Sequence, residues 1–174
     1  MILKYSLVFI TILLITSGLH AQDEIRRELH ENGRVKYEWN YRDGKKNGIS
    51  RGFNERGVLQ EEIIFTNDVI DSVKKYYERG AVKSLIFYKN GVLEGVSKDF
   101  NEFGKLISEH PYKNGKMEGV AKDYFENGST QKAALYKNGL LNGITNEFYD
   151  DGKLRSESLF RNGLQEETSK AYFR

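Results

Sequence analysis

The chain has 174 residues, with 27 lysines and arginines against 25 aspartates and glutamates and a formal net charge of +2. Such a near-balanced charge makes no large single-sign field, so nucleic acid is not expected as a partner. Cysteine is absent, which excludes a disulfide framework, a thiolate metal site and a lipid-anchored cysteine.

Residues 1-21 read as a secretory signal peptide. Lys4 supplies a short positive start, Leu7 to Ile15 is an apolar core, and Ser17, Gly18 and Ala21 are small residues leading to Gln22. The apolar run is shorter than the roughly 20 residues that span a membrane. The expectation is an exported chain, periplasmic, outer-envelope-associated or secreted, that is not a lipoprotein and whose working part is 22-174.

From Asp23 onward the sequence repeats. An aromatic residue, a spacer, Asn-Gly or Asp-Gly, three variable residues and a second glycine recur at Tyr41, Tyr88, Tyr112 and Tyr136, with eroded copies at Phe65 and Phe160. The paired turn glycines of these units are Gly44 and Gly48, Gly91 and Gly95, Gly115 and Gly119, and Gly139 and Gly143. A second series, Gly33, Gly57, Gly80, Gly104, Gly128 and Gly152, lies eleven residues before each mark of the first. The unit is therefore 24 residues with two turns and two strands, and a period of this length dictates a repeat architecture. Between Gly57 and Gly80 the spacing drops to 23, and the loss is placed in Thr66 to Ser72, because a deletion inside a strand would turn its side chains over. That stretch leaves two alignments open, with either Tyr76 or Tyr77 matching Tyr124.

Two strand types alternate. One precedes the Asn-Gly turn, as in Leu106 to Tyr112; the other follows it, as in Val120 to Tyr124; Asp23 to His30 is an opening strand of the second type, which brings the total to about thirteen. The fold expected is all-β, an elongated single-layer antiparallel meander of about six hairpin repeats. With the Glu-Asn-Gly turns as three-residue hairpins, period-2 alternation puts the aliphatic and aromatic residues of both types on one side. Pro111 lies within a strand without an N–H to donate, so a bulge is expected near His110 to Tyr112.

Catalytic chemistry is hard to assemble from this composition. His30 and His110 are more than three repeats apart, no glycine-rich loop carries a following Lys-Ser or Lys-Thr, and Glu118, Glu126 and Glu147 occupy repeat positions expected to be solvated surface. No catalytic residue, metal ligand or cofactor is expected. The second-type strands carry a cation between aliphatic and aromatic residues: Arg27, Arg51, Lys75, Lys98, Lys122 and Lys170. Lysine stems that cover apolar surface are the plain account of this row; a grip on an acidic ligand, a glycan or a lipid headgroup is the functional one. The candidate partner-binding face is Phe100, Tyr112, Tyr124, Tyr136 and Phe148 with Lys98 and Lys122.

The unit Tyr-x-Asn-Gly-x-x-x-Gly resembles the MORN repeat, and is closer to the bacterial variant found in YwqK-type antitoxin proteins. The resemblance covers about Ile25 to Arg174 and implies elongated, twisted antiparallel sheets built hairpin by hairpin. Read together, these features point to a non-enzymatic protein-protein interaction platform. The alternatives are an antitoxin or immunity-type protein that neutralises a toxin, and a module binding carbohydrate or lipid headgroups at a membrane surface. Self-association through the C-terminal sheet edge near Lys170 to Phe173 is a further expectation. Intact mass of the protein from its native host should show cleavage after Ala21; a species that retains Met1 would remove the basis for export.

Overall fold

A computed structural model describes residues 10–12 and 23–173. Its strands are β1 (Ile10–Ile12), β2 (Asp23–Leu29), β3 (Val35–Arg42), β4 (Lys45–Lys46), β5 (Gly48–Phe53), β6 (Leu59–Thr66), β7 (Val69–Tyr76) and β8 (Val82–Lys89). They continue as β9 (Val92–Leu93), β10 (Gly95–Phe100), β11 (Leu106–Lys113), β12 (Lys116–Met117), β13 (Gly119–Tyr124), β14 (Thr130–Lys137), β15 (Leu140–Phe148), β16 (Leu154–Arg161) and β17 (Leu164–Ala171). All pairings are antiparallel and follow chain order, so the chain forms one open meander. β4, β9 and β12 are the opening residues of strands that resume after one intervening residue, so from Asp23 onward the thirteen expected strands are all present. The proposed signal peptide lies outside the described residues except for β1, which pairs along β2 with Ile12 opposite Ile25.

Two hairpin types alternate, as the glycines imply. Lys113 pairs with Lys116 around Asn114 and Gly115, whose φ angles of 50° and 79° make the tight turn whose twist suits antiparallel strands. At the opposite rim, Phe125 N–H donates to Ser129 O at 2.9 Å and Gly128 N–H to Phe125 O at 2.9 Å, with Gly128 at φ 86°. That is the three-residue loop expected at Glu126 to Gly128.

The expected facing is corrected one residue beyond that loop. Tyr124 pairs with Thr130, but Asp123 pairs with Lys132, leaving Gln131 as an unpaired bulge residue. The same one-residue bulge occurs at Ile107, Gln60, Lys83 and Arg155. One extra residue reverses which side chains oppose each other. First-type aromatics such as Tyr112 and Tyr136 therefore lie on the face opposite second-type Phe100, Tyr124 and Phe148, and no single face collects all the aromatic and aliphatic residues. Leu106, paired with Phe100 across a bulge, leaves the face of Ser108, His110 and Tyr112 with which simple alternation would group it.

One face is packed. Ile63, Phe65 and Val73 are buried on it, with Trp39, Ile70, Ile86 and Tyr88 against them. Trp39 stacks on Tyr37 at 4.5 Å and meets Phe65 edge-on at 6.2 Å, while Lys46 Nζ sits 3.6 Å above the indole. Further along, small residues fill the same face: Ser84, Ser108, Ala121, Ala134 and Thr145 are buried.

Two irregularities resolve physically. Where Tyr136 pairs with Leu141 and Ala134 with Thr145, two residues bulge out; where Phe65 pairs with Ile70 and Ile63 with Val73, only one does. The missing residue thus falls within 66–72, Tyr76 takes the place of Tyr124, and Lys74, opposite Leu85, takes the cation position that the sequence reading gave to Lys75. Pro111 needs no bulge in its own strand, since Gly95 to Lys98 pair in unbroken register with Tyr112 to Glu109. Its carbonyl accepts from Glu118 N–H at 3.0 Å, so its missing N–H points at the Glu118–Gly119 interruption of the neighbouring strand, a gap built into the repeat. At the matching position Asn40 N–H donates to the Ser50 side-chain hydroxyl.

Gly115→Val forces a β-branched residue into left-handed backbone with Cβ 3.3 Å from Val92 Cγ1. It should lower stability by about 1 to 3 kcal/mol, read as a fall in thermal midpoint; an unchanged midpoint would refute the turn assignment.

Candidate interaction surface

The face opposite the packed one carries a cross-strand ladder of apolar side chains. Ile49 opposes Ile64, Val96 opposes Pro111, Val120 opposes Leu135 and Ile144 opposes Leu159. Exposure separates the two faces residue by residue: Val120 is 49% exposed and Ala121 6%, Leu135 39% and Ala134 3%, Ile144 49% and Thr145 5%. Ile25 and Phe87 extend the same exposed series. Shallow depressions open along it, one of about 560 Å³ between Ile25, Asn40 and Ile49 and one of about 220 Å³ between Ile49, Ile64, Leu85 and Phe87.

Beside the ladder runs a row of cross-strand ion pairs. Arg27 Nε lies 2.9 Å from Glu38, Arg51 Nε 3.2 Å from Glu62, Lys98 Nζ 2.9 Å from Glu109 and Lys170 Nζ 3.9 Å from Glu157. Two of these carboxylates also accept a tyrosine: Tyr76 Oη donates to Glu62 at 2.6 Å and Tyr124 Oη to Glu109 at 2.8 Å. The hydrogen bond from Lys98, then that from Tyr124, holds Glu109 below the usual carboxylate range, whereas burial and Glu109 push the Tyr124 phenol up to about 12. In Glu62 the Tyr76 hydrogen bond is the leading cause of a lowered pKa, followed after desolvation by Arg51. These carboxylates have structural partners. Sequence reading passed over them although a glutamate recurs 24 residues apart at Glu38 and Glu62 and 48 apart at Glu109 and Glu157, on either side of the shortened unit.

The predicted binding residues divide between the faces. Phe100, Tyr124, Phe148, Lys98 and Lys122 lie on the ladder face; Tyr112 and Tyr136, opposite Gly95 and Gly119, lie on the packed face. All five aromatics are half-buried, so the exposed strip is mainly aliphatic, with Phe87 as an aromatic member, and is not the strip of these aromatics that was expected. The turn glycines Gly44, Gly48, Gly91, Gly95, Gly115, Gly119, Gly139 and Gly143 all have positive φ.

Of the carboxylates read as solvated surface, Glu126 is exposed, while Glu118 and Glu147 are engaged. Glu118 accepts from Asn138 N–H at 2.7 Å, as Glu94 does from Asn114 N–H at 2.8 Å, and Glu147 accepts from Ser156 Oγ at 3.2 Å. His30 Nε2 meets Phe53 O at 2.9 Å, and His110 Nε2 lies 3.4 Å from Asp123. Ser108 Oγ is bound to Asp99 at 2.9 Å, which withdraws it from any role beside His110. Among the described residues no group of three metal-ligating side chains gathers.

A search of curated proteins returns no match. The family model described as MORN repeat variant matches residues 72–90, 93–114, 117–138 and 141–162, each segment spanning two neighbouring strands of the meander. Over these residues the chain is built of MORN repeat variants, modules that commonly mediate protein or membrane interactions.

Proposed function

We propose that this protein is an exported, non-enzymatic platform that binds another protein on the ladder face. The observation that carries the reading is the continuous exposed series through Ile49, Ile64, Phe87, Val96, Val120 and Ile144, since apolar strips of this kind on a surface mark interaction sites. The neighbouring ion pairs are satisfied within the chain, so they frame the strip without demanding a charged ligand. Export rests on the character of residues 1-21. Neutralisation of a toxin and binding of a glycan or lipid headgroup are the competing uses of the same surface.

Replacing Phe87, Val120 and Ile144 together by Ser leaves the packed face intact and should remove the partner cross-linked to the protein in its native host. Retention of that partner by a variant with unchanged thermal midpoint would overturn the proposal. A toxin-like partner identified by mass spectrometry would move the reading to the antitoxin class.

A further inference from the structure

The ladder face is not electrically neutral over its whole width. In the central region the strand residues that follow Phe87, Pro111 and Leu135 on the same face are Lys89, Lys113 and Lys137, all exposed at the Asn-Gly rim. Lys116 faces the same way opposite Lys113, and Lys122, on the other flank of the ladder, stands between Ala133 and Glu109, the carboxylate that also binds Lys98. Among the described residues none of the four lysines at the Asn-Gly rim forms an ion pair, while Lys122 acts on Glu109 from a distance beyond a direct ion pair. Glu109 is held by Lys98, and Glu94 and Glu118 accept from turn N–H groups. The result is an apolar seam one residue wide, with a row of lysines outside any ion pair on the Asn-Gly flank and, on the other, Lys122, which shares Glu109 with Lys98.

We propose, resting on the platform reading above, that the partner segment seated here is an acidic amphipathic helix lying along the ladder, across the strands of the sheet. The ladder from Phe87 to Ile144 crosses the six strands β8, β10, β11, β13, β14 and β15. At about 4.8 Å per strand this is about 24 Å, the length of about 16 helical residues at about 1.5 Å each. An extended segment laid across the face would press unpaired N–H and C=O groups onto Val96, Val120 and Ile144, whereas a helix satisfies its own backbone and offers a narrow apolar stripe. A second copy of this chain packed face to face is disfavoured. It would strip water from the ion pairs of both copies and set lysines against lysines.

Acidic residues flanking the helix stripe would meet Lys113, Lys116 and Lys137 on one side and Lys122 on the other. Such contacts choose the partner and its orientation more than they add affinity.

The test uses two synthetic helical peptides of about 20 residues, with the same leucine stripe and either glutamate or lysine flanks, measured by fluorescence anisotropy against the protein. The glutamate peptide should bind at least about tenfold more tightly than the lysine peptide, and the preference should shrink as salt rises. Val120→Ser with Leu135→Ser should weaken it by about tenfold or more, and Lys113→Glu with Lys137→Glu should abolish most of the preference. Both double variants change exposed positions, and unchanged thermal midpoints verify their folds. Equal binding of both peptides, or of neither, overturns the helix proposal. So does binding of phosphatidylglycerol vesicles with no preference between peptides, which would assign the seam to a lipid surface. The platform reading fails separately, when the triple serine variant keeps its cross-linked partner.

Discussion

The organisation of this sheet depends on a one-residue bulge placed just after each three-residue hairpin. At Gln131 and Ile107 the extra residue shifts pairing by one, so that Lys122 faces Ala133 and Lys98 faces Glu109. Without the shift, cation would meet cation, because Lys122 would oppose Lys132 and the row of ion pairs would not form. The bulge also separates Tyr124 from Tyr136, placing one aromatic series beside the ion pairs and the other on the packed face. Register thus governs electrostatics and burial together.

A single-layer sheet has no second layer to bury it, so cohesion must come from along the array. Each Asn-Gly turn supplies one such link. Gly115 N–H donates to Leu93 O, Gly139 N–H to Met117 O and Gly163 N–H to Leu141 O, at 2.9, 2.9 and 2.8 Å. The opposite rim does the same with side chains: Tyr77 Oη reaches Phe100 O at 2.9 Å and Asn127 Nδ2 reaches Asp150 O at 2.8 Å. Every unit therefore satisfies polar groups of its neighbour, which gives the array the nearest-neighbour character of repeat proteins. The aromatic core around Trp39, Phe65 and Val73 is concentrated toward the first repeats. Farther on, Ala121, Ala134 and Ser108 occupy the packed face. Close approach of small side chains replaces bulk there.

The same division accounts for the exposed apolar ladder. The packed face is filled by its own side chains, and the face left over holds the aliphatic residues with nothing described above them. Ion pairs such as Arg51–Glu62 and Lys98–Glu109 contribute little to stability at this degree of exposure. With those pairs made, the surplus positive charge is left to lysines at the rim.

Much of the architecture was written in the sequence because turn chemistry is local. Asn-Gly and Glu-Asn-Gly need left-handed backbone at known positions, and their alternation every eleven to thirteen residues fixes strand number, order and antiparallel pairing. Facing was not local. The bulge residues Gln131, Ile107, Gln60, Lys83 and Arg155 range from polar to apolar to charged and carry no common signature, so alternation carried the reading straight through them and put Tyr112 with Tyr124. The unpaired N–H position that admits Pro111, and the choice of Lys74 over Lys75 for the cation row, likewise depend on what the adjoining strand presents. Residue identities determined the turns, and only the tertiary structure decided the faces, because a side chain's face is set by the register of the strand beside it.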